Sequence, residues 1–207
     1  MSFNTLEVYA DIWCPFAHVG LRAARLVRDK RATRPVPMLI RAWPLELVNG
    51  VAMDRARAAE HVRELREQVA PELFMGFDEA NFPSTSLPAL SLAARAYEVD
   101  APTGEAVSFA LRDALFEQGQ DIADRSVLED LGGRFGVGLG TEIDLTGVHE
   151  DWRSGQARGV KGSPHFFCAN TDAFCPALDI ERDALGHLSM RRASNELEAF
   201  LEGCFDA

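Results

Sequence analysis

Residues 11–18 read Asp-Ile-Trp-Cys-Pro-Phe-Ala-His and join the first predicted strand to the first predicted helix. Residues 5–13 are rich in β-branched and aromatic side chains, which indicates a strand. A helix is predicted over residues 15–30, because proline suits a first helical turn and apolar side chains follow at helical spacing. These apolar side chains are Val19, Ala23, Leu26 and Val27. Cys14 is therefore expected to lie where the strand ends and the helix begins.

The chain returns to a strand pattern at residues 36–43, which completes a β-α-β unit with a crossover long enough for parallel strands. From about residue 50 to 158 the pattern is helical instead. The helices predicted in this block span residues 52–69, 87–98, 104–118, 125–135 and about 141–157. Thr103 and Asp124 are expected to be N-caps, and Gly119 is expected to be a C-cap.

The strand signal returns after this block. Residues 164–168 and 176–180 flank a polar turn and predict an antiparallel hairpin, and residues 193–203 predict a closing helix. The first and last parts of the chain can share one sheet only if the helical block is inserted between them. The expected organisation is therefore one domain from residues 1–50 and 159–207, with residues 51–158 as an inserted helical domain.

The composition narrows the range of partners. The 207 residues are 47% hydrophobic and 26% charged, with a formal net charge of −11. An acidic surface repels phosphate backbones, so nucleic acid is not expected as a partner. No stretch reaches the roughly 18 apolar residues of a membrane span, and the N-terminal residues lack the basic region of a secretion signal. Together with the low number of cysteines, these features favour a soluble cytoplasmic protein without membrane contact.

Cys14 is the first candidate for chemistry. A thiol at a helix N-terminus feels the positive end of the helix dipole and free N–H groups, which favour the reactive thiolate. His18 lies four residues further along the same helical face and, if protonated, would lower the pKa of Cys14 further; a packing or surface histidine is the alternative. No Cys/His cluster has the spacing of a zinc site, so no metal is predicted. Pro164 begins a predicted strand, a position that tolerates proline.

Three segments resemble DsbA-like thioredoxin-fold proteins, and most of all their FrnE-like branch of predicted dithiol-disulfide isomerases. They are DIWCPFAHVGLRAARLV at 11–27, ALRDALFEQGQDIADRSVLEDLGGRFGV at 110–137 and ARGVKGSPHFF at 157–167. The segments follow one another in the order found in that branch and span most of the chain. The resemblance implies an α/β thioredoxin-like fold of the order β-α-β … β-β-α with a large DsbA-like helical insertion. It also implies a cis bond before Pro164 that abuts the Cys14 motif.

The resemblance also implies roles for individual residues. Cys14 would be the nucleophile, His18 would support its thiolate, and the backbone at Ser163 would pair with an extended peptide or with glutathione. The residues implied in substrate binding are Trp13, Pro15, Phe16, Ala17, Ser163 and Pro164. Trp13 and Phe16 would form an apolar rim, for which simple packing is the alternative. The partner would be a thiol-containing protein or glutathione, with no tightly bound cofactor. The oligomeric state stays open, with a homodimer among the options.

The motif departs from that of the redox-active relatives at one position. Residues 14–17 read Cys-Pro-Phe-Ala, where the relatives have CxxC. Thiol–disulfide exchange passes through a mixed disulfide, which the second cysteine of a CxxC motif resolves. Ala17 has no thiol, so Cys14 would need an external thiol such as glutathione, or another protein cysteine.

Cys168 and Cys175 are expected to be buried thiols. A strand rises about 3.3 Å per residue, so Cys168, four residues past Pro164, is expected too far from Cys14 for a disulfide. Cys175 is expected near the predicted hairpin, where it could approach Cys168. Cys204 is expected to pack with the last helix.

Three functions remain open. The leading hypothesis is a monothiol thiol-disulfide oxidoreductase or isomerase. The second is a glutathione-dependent isomerase or transferase, because the chain resembles 2-hydroxychromene-2-carboxylate isomerases and kappa-class glutathione transferases. These proteins bind glutathione with a serine where Cys14 stands. The missing second cysteine favours this hypothesis, whereas a cysteine instead of a serine at position 14 argues against it. The third is a non-catalytic module that binds a peptide or metabolite. A depressed pKa of Cys14 would favour reactivity, and an unperturbed one would favour binding.

Overall fold

The computed structural model of the protein describes residues 5–31, 37–184 and 187–205. The strands in these ranges are β1 (Leu6–Ala10), β2 (Leu39–Ala42), β3 (His165–Cys168), β4 (Thr171–Phe174), β5 (Leu178–Arg182) and β6 (Leu188–Arg192). The helices are α1 (Pro15–Arg31), α2 (Leu45–Asn49), α3 (Arg55–Gln68), α4 (Leu87–Val99), α5 (Ala101–Phe116), α6 (Arg125–Arg134), α7 (Thr146–Ala157) and α8 (Ser194–Phe205). The first residue of the predicted strand 36–43 lies outside the described residues, as do both ends of the predicted 1–50 and 159–207 domain.

The central sheet has the strand order β2-β1-β3-β4. Strand β1 is parallel to β2 and antiparallel to β3, so Val8 lies between Ile40 and Phe166 in the register. Helix α1 makes the crossover between the two parallel strands. The predicted α/β class and the β-α-β unit are therefore confirmed.

The two faces of the sheet follow from the alternation of side chains along its strands. Phe166 points towards α8, where its ring centroid lies 6.4 Å from that of Phe200. Tyr9 lies on the opposite face and its hydroxyl is 2.9 Å from Ser154 Oγ on α7. A Cβ at Gly155 would come within 2.6 Å of the Trp43 ring, so only glycine lets α7 approach the sheet this closely. The sheet is thus covered by helices on both faces.

The predicted pairing of residues 164–168 with 176–180 is wrong. Strand β3 turns back directly after Cys168 and pairs antiparallel with β4, opposing Cys168 to Thr171. The reversal occurs over two residues, and Ala169 has a φ of +49° there. Strand β5 pairs instead with β6, in a separate two-stranded sheet. The sequence pattern located strand residues on both sides of the turn, but the turn is shorter than predicted.

Between β2 and β3, the predicted helical block contains α3 to α7, with α4 and α5 packed side by side. Asp124 caps α6, as predicted, by accepting a bond from the Ser126 N–H. The predicted N-cap Thr103 is wrong: α5 begins earlier, and Asp100 accepts a bond from the Thr103 N–H. Gly119 is not the C-cap, because α5 ends at Phe116. The division into a core domain and an inserted domain stays a prediction.

The expectation of a buried thiol is wrong for Cys168. Cys168 and Cys204 form a disulfide with a Cα–Cα distance of 5.7 Å. Cys168 shares the α8-facing side of the sheet with Phe166, and Cys204 lies in α8, which brings the two together. Cys14 and Cys175 are free and buried. Because structural disulfides belong to oxidising compartments more often than to the cytoplasm, the cysteine content no longer supports the predicted localisation.

Within residues 5–31, 37–184 and 187–205, no helix combines the length and the apolar character that a bilayer crossing requires.

Candidate active site around Cys14

Cys14 caps the N-terminus of α1, where its carbonyl oxygen accepts the first helical bond, from the His18 N–H at 3.1 Å. Its thiol donates a hydrogen bond to the carbonyl oxygen of Ser163, with a sulfur–oxygen distance of 3.2 Å. The Ser163–Pro164 peptide bond is cis. A Cβ at Gly20 would lie 3.2 Å from Pro164 Cγ, so the glycine allows α1 to approach this proline. The fold thus brings the motif and the proline loop into contact.

Asp11 connects three segments around the thiol. Its N–H donates to Ser163 Oγ at 2.9 Å, which fixes the serine beside Cys14. Its carboxylate accepts the Leu45 N–H at 2.6 Å, and its carbonyl oxygen accepts a bond from Arg112 Nη2 at 3.1 Å. These bonds join the end of β1 to the proline loop, to the start of α2 and to α5. The position of the thiol is therefore set by contacts that are remote in sequence.

The thiol of Cys14 is only 3% exposed, and burial raises its pKa above the ordinary value. The Ser163 side chain and the backbone N–H groups of Ala17 and Phe16 act in the opposite direction, while the charge of Asp11 adds to the rise. The helix N-terminus therefore has the predicted effect, but burial outweighs it. The expectation of a depressed pKa is wrong for this conformation, in which Cys14 is a thiol at neutral pH.

Two buried ionisable groups lie next to the thiol. Asp11 is fully buried, and the loss of hydration raises its pKa to about 6, against the effect of its hydrogen bonds and of Arg112. Burial also lowers the pKa of Arg112 to about 10, although the charge of Asp11 opposes that shift. Arg112 donates to the carbonyl and hydroxyl oxygens of Ser108 as well, so its charge is held by several acceptors. The environment of Cys14 is thus apolar but contains a carboxyl and a guanidinium.

His18 does not support the thiolate in the predicted way. Its ring is fully buried, and Nε2 is 2.7 Å from Glu117 Oε1. Its Nδ1 has no hydrogen-bond partner among the described residues, the Cys14 sulfur included. Burial lowers the pKa of His18, so the neutral ring donates Nε2–H to the carboxylate. His18 therefore fastens α1 to α5 and brings no positive charge to Cys14.

Glu117 is the acceptor in this second polar cluster. Its carboxylate also accepts the N–H groups of Phe74 at 2.9 Å and Met75 at 3.1 Å. Partial burial acts to raise its pKa, but these hydrogen bonds and the one from His18 lower it to about 2. Glu117 is thus ionised at neutral pH and joins α1, α5 and the loop at residues 74–75.

The predicted apolar rim divides into a buried and an accessible part. Trp13 is fully buried and stacks on Phe82, with ring centroids 5.9 Å apart, so it belongs to the core. Phe16 is half-buried and packs against the ring of His61 at 5.0 Å. Pro15, Ala17 and Pro164 are buried, whereas Ser163 is half-buried. Phe16 and Ser163 are therefore the predicted binding residues that a partner can reach in this conformation.

Sequence reasoning missed Asp11, Arg112 and Glu117. Asp11 carried a signal, since an acidic residue between the apolar neighbours Ala10 and Ile12 of a predicted strand is unusual unless its charge is used or satisfied. Arg112 and Glu117 lie on the helix α5 or directly after it, where charged residues are ordinary, and nothing local marks them. Only the fold shows that Arg112 contacts Asp11 and that Glu117 contacts His18.

A cavity of about 450 Å³ runs along α1. It is lined by side chains of α1, the segment 70–73 and the start of α8, among them Val19, Ala23, Leu26, Ala177 and Leu197. Cys14 is not one of its lining residues, so the thiol does not open into it. In the part of the chain that the structure describes, no group of three or more His, Cys, Asp or Glu side chains is placed to hold a metal ion.

The four-stranded sheet, its helical covering and the contact between Cys14 and the proline loop define the thioredoxin fold of DsbA-like proteins. Solved structures support this assignment. The chain superposes on a probable DsbA oxidoreductase from Streptomyces coelicolor with a TM-score of 0.68 at 17% identity, over 97% of this chain and 89% of that one. No family model matches the chain, and neither does any curated protein.

Two further solved structures have the same fold. The cytosolic disulfide reductase DsbM from Pseudomonas aeruginosa, in a structure with GSH, has a TM-score of 0.58 at 17% identity, covering 96% of this chain and 98% of that one. A 2-hydroxychromene-2-carboxylate isomerase has a TM-score of 0.62 at 13% identity, covering 82% and 88%. At these identities the likeness establishes the DsbA-like fold, which confirms the predicted fold class.

Proposed function

We propose that the protein is a thiol-disulfide oxidoreductase or isomerase that uses Cys14 as its nucleophile. The observation that carries this proposal is the 3.2 Å contact between the Cys14 sulfur and the Ser163 carbonyl oxygen at the N-terminus of α1. This contact joins the thiol at the helix N-terminus to the loop at Ser163. Ser163 is half-buried, and the backbone there offers a hydrogen-bond acceptor to an extended substrate. DsbA-like oxidoreductases and a disulfide reductase among the structural neighbours support this class of activity.

The raised pKa of Cys14 sets a condition for this function. Exchange requires the thiolate, because the thiol is a poor nucleophile. The groups that favour the thiolate, namely the Ser163 hydroxyl and the N–H groups of Phe16 and Ala17, are already in place. We infer that a substrate must first separate Cys14 from the Ser163 carbonyl oxygen, which lets water or the substrate approach the sulfur. The free protein would then be the resting form.

Glutathione is the partner that the proposal favours. A motif with one cysteine can form a mixed disulfide but cannot resolve it alone. A small abundant thiol such as glutathione can be the partner in this mixed disulfide, and a second molecule of it can break the bond. The structure of DsbM with GSH supports a glutathione site in this fold. DsbM is described as cytosolic, which supports the cytoplasmic location proposed from the sequence, whereas the Cys168–Cys204 disulfide is more typical of an oxidising compartment. No tightly bound cofactor is needed for this exchange.

The decisive experiment measures the reduction of a glutathionylated peptide by glutathione. Wild-type protein is compared with Cys14→Ala and Cys14→Ser, two replacements of similar size that both lack the thiol. We expect the rate to fall about 100-fold or more in both variants, down to the uncatalysed exchange. After exposure to oxidised glutathione, peptide mapping should find modification of wild-type protein that involves Cys14. A wild-type rate equal to that of Cys14→Ala would refute the proposal and favour a non-catalytic binding module.

The same variants test a glutathione-dependent isomerase, which the neighbour with that activity makes the second candidate. Such an enzyme activates glutathione and needs no covalent bond to the protein. Cys14→Ser keeps a hydroxyl that can hold the glutathione sulfur, whereas Cys14→Ala does not. Isomerase activity on a chromene carboxylate that survives in Cys14→Ser and is lost in Cys14→Ala would select this function.

A further inference from the structure

The two free cysteines of the described chain both contact one dipeptide, Ser163–Pro164. Cys175 follows directly after β4, and its N–H donates to the carbonyl oxygen of Pro164 at 3.0 Å. This bond extends the β3–β4 pairing by one residue pair beyond His165 and Phe174. The thiol of Cys14 donates to the carbonyl oxygen of Ser163, the other residue of the dipeptide. Cys14 and Cys175 thus both contact the Ser163–Pro164 unit.

The sulfur of Cys175 also faces the interior that contains Cys14. Cys175 is 7% exposed and belongs to the same hydrophobic cluster as Cys14. Burial raises the pKa of Cys175 to about 12, and the charge of Cys14 contributes to that rise, as expected for two thiols within electrostatic reach. Its φ of +49° is unusual for a residue other than glycine. The other two cysteines are bonded to each other, so Cys175 is the thiol left for Cys14.

We propose that Cys175 is the resolving cysteine of this protein and replaces the thiol that Ala17 lacks. This inference rests on the proposed nucleophilic role of Cys14. It assigns the second thiol to the strand that follows the proline loop, outside the motif. Cys175 would then convert a motif with one cysteine into a dithiol site.

The chemistry balances with glutathione disulfide as oxidant. The Cys14 thiolate attacks one sulfur of glutathione disulfide, forms a mixed disulfide and releases one glutathione thiolate. The Cys175 thiolate then attacks the Cys14 sulfur, the bond from Cys14 to glutathione breaks, and a second glutathione thiolate leaves. The protons of the two cysteines pass to the two departing glutathione thiolates. The protein thus loses two electrons to form a Cys14–Cys175 disulfide, and glutathione disulfide is reduced to two thiols.

The second step requires a change of conformation. Cys14 and Cys175 are not bonded here, and Cys14 is engaged with Ser163. Disulfide formation needs Cα atoms about 4.4–6.8 Å apart and sulfurs at bonding distance. Once Cys14 has separated from Ser163, its side chain would be free to move towards Cys175, which contacts the same dipeptide. The resolving step is therefore expected to be slow relative to that of a CxxC motif.

The test follows the mixed disulfide over time after a pulse of oxidised glutathione, by intact mass and by mapping of non-reduced peptides. The wild type is compared with Cys175→Ser and Cys175→Ala, so that the result does not depend on one replacement. We expect wild-type protein to lose the glutathione adduct and form a Cys14–Cys175 linkage. Both variants should retain the adduct on Cys14 about tenfold longer or more. Ala17→Cys combined with Cys175→Ser is the matched control, because a CxxC motif should restore rapid release.

The outcomes separate this inference from the proposed function. If Cys14 carries glutathione in the wild type for as long as in Cys175→Ser, and no Cys14–Cys175 peptide forms, the resolving role is wrong while the nucleophile stands. If Cys14 is never modified, although Cys14→Ala and the wild type remain folded by circular dichroism, both proposals fail together. Rapid release in Ala17→Cys with Cys175→Ser shows in either case that the adduct can be resolved in this fold.

Discussion

The two ends of strand β3 each place cysteine sulfur in the protein interior, yet the two sites differ in chemistry. At its C-terminal end Cys168 is bonded to Cys204 of α8. At its N-terminal end the proline loop contacts two residues with free thiols, Cys14 and Cys175. Both sites are nearly inaccessible to solvent, so burial alone does not decide which sulfur is reactive.

The surroundings explain the difference. Cys168 lies in a strand, paired with Leu6 and Thr171, and its disulfide joins the sheet to the last helix. Cys14 lies at a helix N-terminus, next to the Ser163 hydroxyl and the buried carboxyl of Asp11. The first site holds two elements together, whereas the second contains the groups that can change the charge of a sulfur. We therefore expect the first to govern stability and the second reactivity.

The largest effect is expected from breaking the disulfide. Its partners are 36 residues apart, and closing a loop of that length in the unfolded chain corresponds to about 3–4 kcal/mol of stability. Cys204→Ser should lower the free energy of unfolding by about this amount, measured by urea denaturation without reductant. Exchange at Cys14 should persist wherever the variant is folded. A loss below about 1 kcal/mol would show that the disulfide has no such role.

A somewhat smaller change in the free energy of unfolding is expected from Asp11→Asn. Its pKa is raised from 3.8 to about 6, so the folded state favours the neutral carboxyl and loses stability as the pH rises between these values. Asp11→Asn stays neutral and keeps an oxygen for the Leu45 N–H. Relative to wild type, it should gain about 2–3 kcal/mol between about pH 3 and about pH 7. The measurement is the unfolding free energy against pH. Parallel curves of stability against pH for the variant and the wild type would contradict the raised pKa of Asp11.

The same variant should change the thiol. The charge of Asp11 raises the pKa of Cys14, so its removal should lower that pKa. Alkylation of Cys14 by iodoacetamide at neutral pH should therefore be faster in Asp11→Asn than in the wild type. Cys175 labelling serves as the internal control for general opening of the fold. Equal acceleration at both cysteines would mean that the structure has loosened instead.

Glu117→Gln should have an intermediate effect on stability. The ionised carboxylate holds His18, Phe74 and Met75, and Gln can accept only through one of its two groups, so a loss of about 1–2 kcal/mol is expected near neutral pH. The pKa of Glu117 is lowered from 4.5 to about 2. Its contribution is therefore present above the unfolded pKa and disappears as the pH falls through the folded one. The difference between variant and wild type should shrink in acid, and a constant difference would rule out this origin.

The smallest effect is expected for Ser163→Ala. It removes the acceptor of the Asp11 N–H, which corresponds to about 1 kcal/mol. It also removes a hydroxyl that lowers the pKa of Cys14, so alkylation should be slower than in the wild type, opposite to Asp11→Asn. Rates of the two variants measured side by side test the sign of each contribution. Faster alkylation of Ser163→Ala would show that access, and not charge, limits the reaction.

Much of the fold could be predicted from local patterns. The apolar stripe after Pro15 located α1, and the position of Cys14 at its start followed from the strand before it. The polar contacts could not be predicted in this way, because Asp11 and Leu45 are 34 residues apart and His18 and Glu117 are 99 residues apart. A periodic pattern shows which face of an element is buried, but not which element covers it.

The cysteines illustrate the same limit. The sequence correctly separated Cys168 from Cys14, since the length of a strand is known from its residue count. It missed the Cys168–Cys204 disulfide, because the position of α8 over β3 depends on packing. It also expected Cys175 near a hairpin from which it could approach Cys168, because the two-residue turn at Ala169 was not recognised. Because the turn after Cys168 was predicted too long, Cys175 was expected near Cys168 and not near Pro164.

The hydrogen bond from the Cys14 thiol to the Ser163 carbonyl has one last consequence. A neutral S–H group is attracted to the oxygen 3.2 Å away, but a sulfur anion in the same place faces the negative end of the carbonyl dipole and is repelled. Loss of the proton therefore reverses the sign of the contact that keeps the side chain in its pocket. Ionisation of the sulfur and its displacement from Ser163 therefore favour each other, and a protonated Cys14 stays buried.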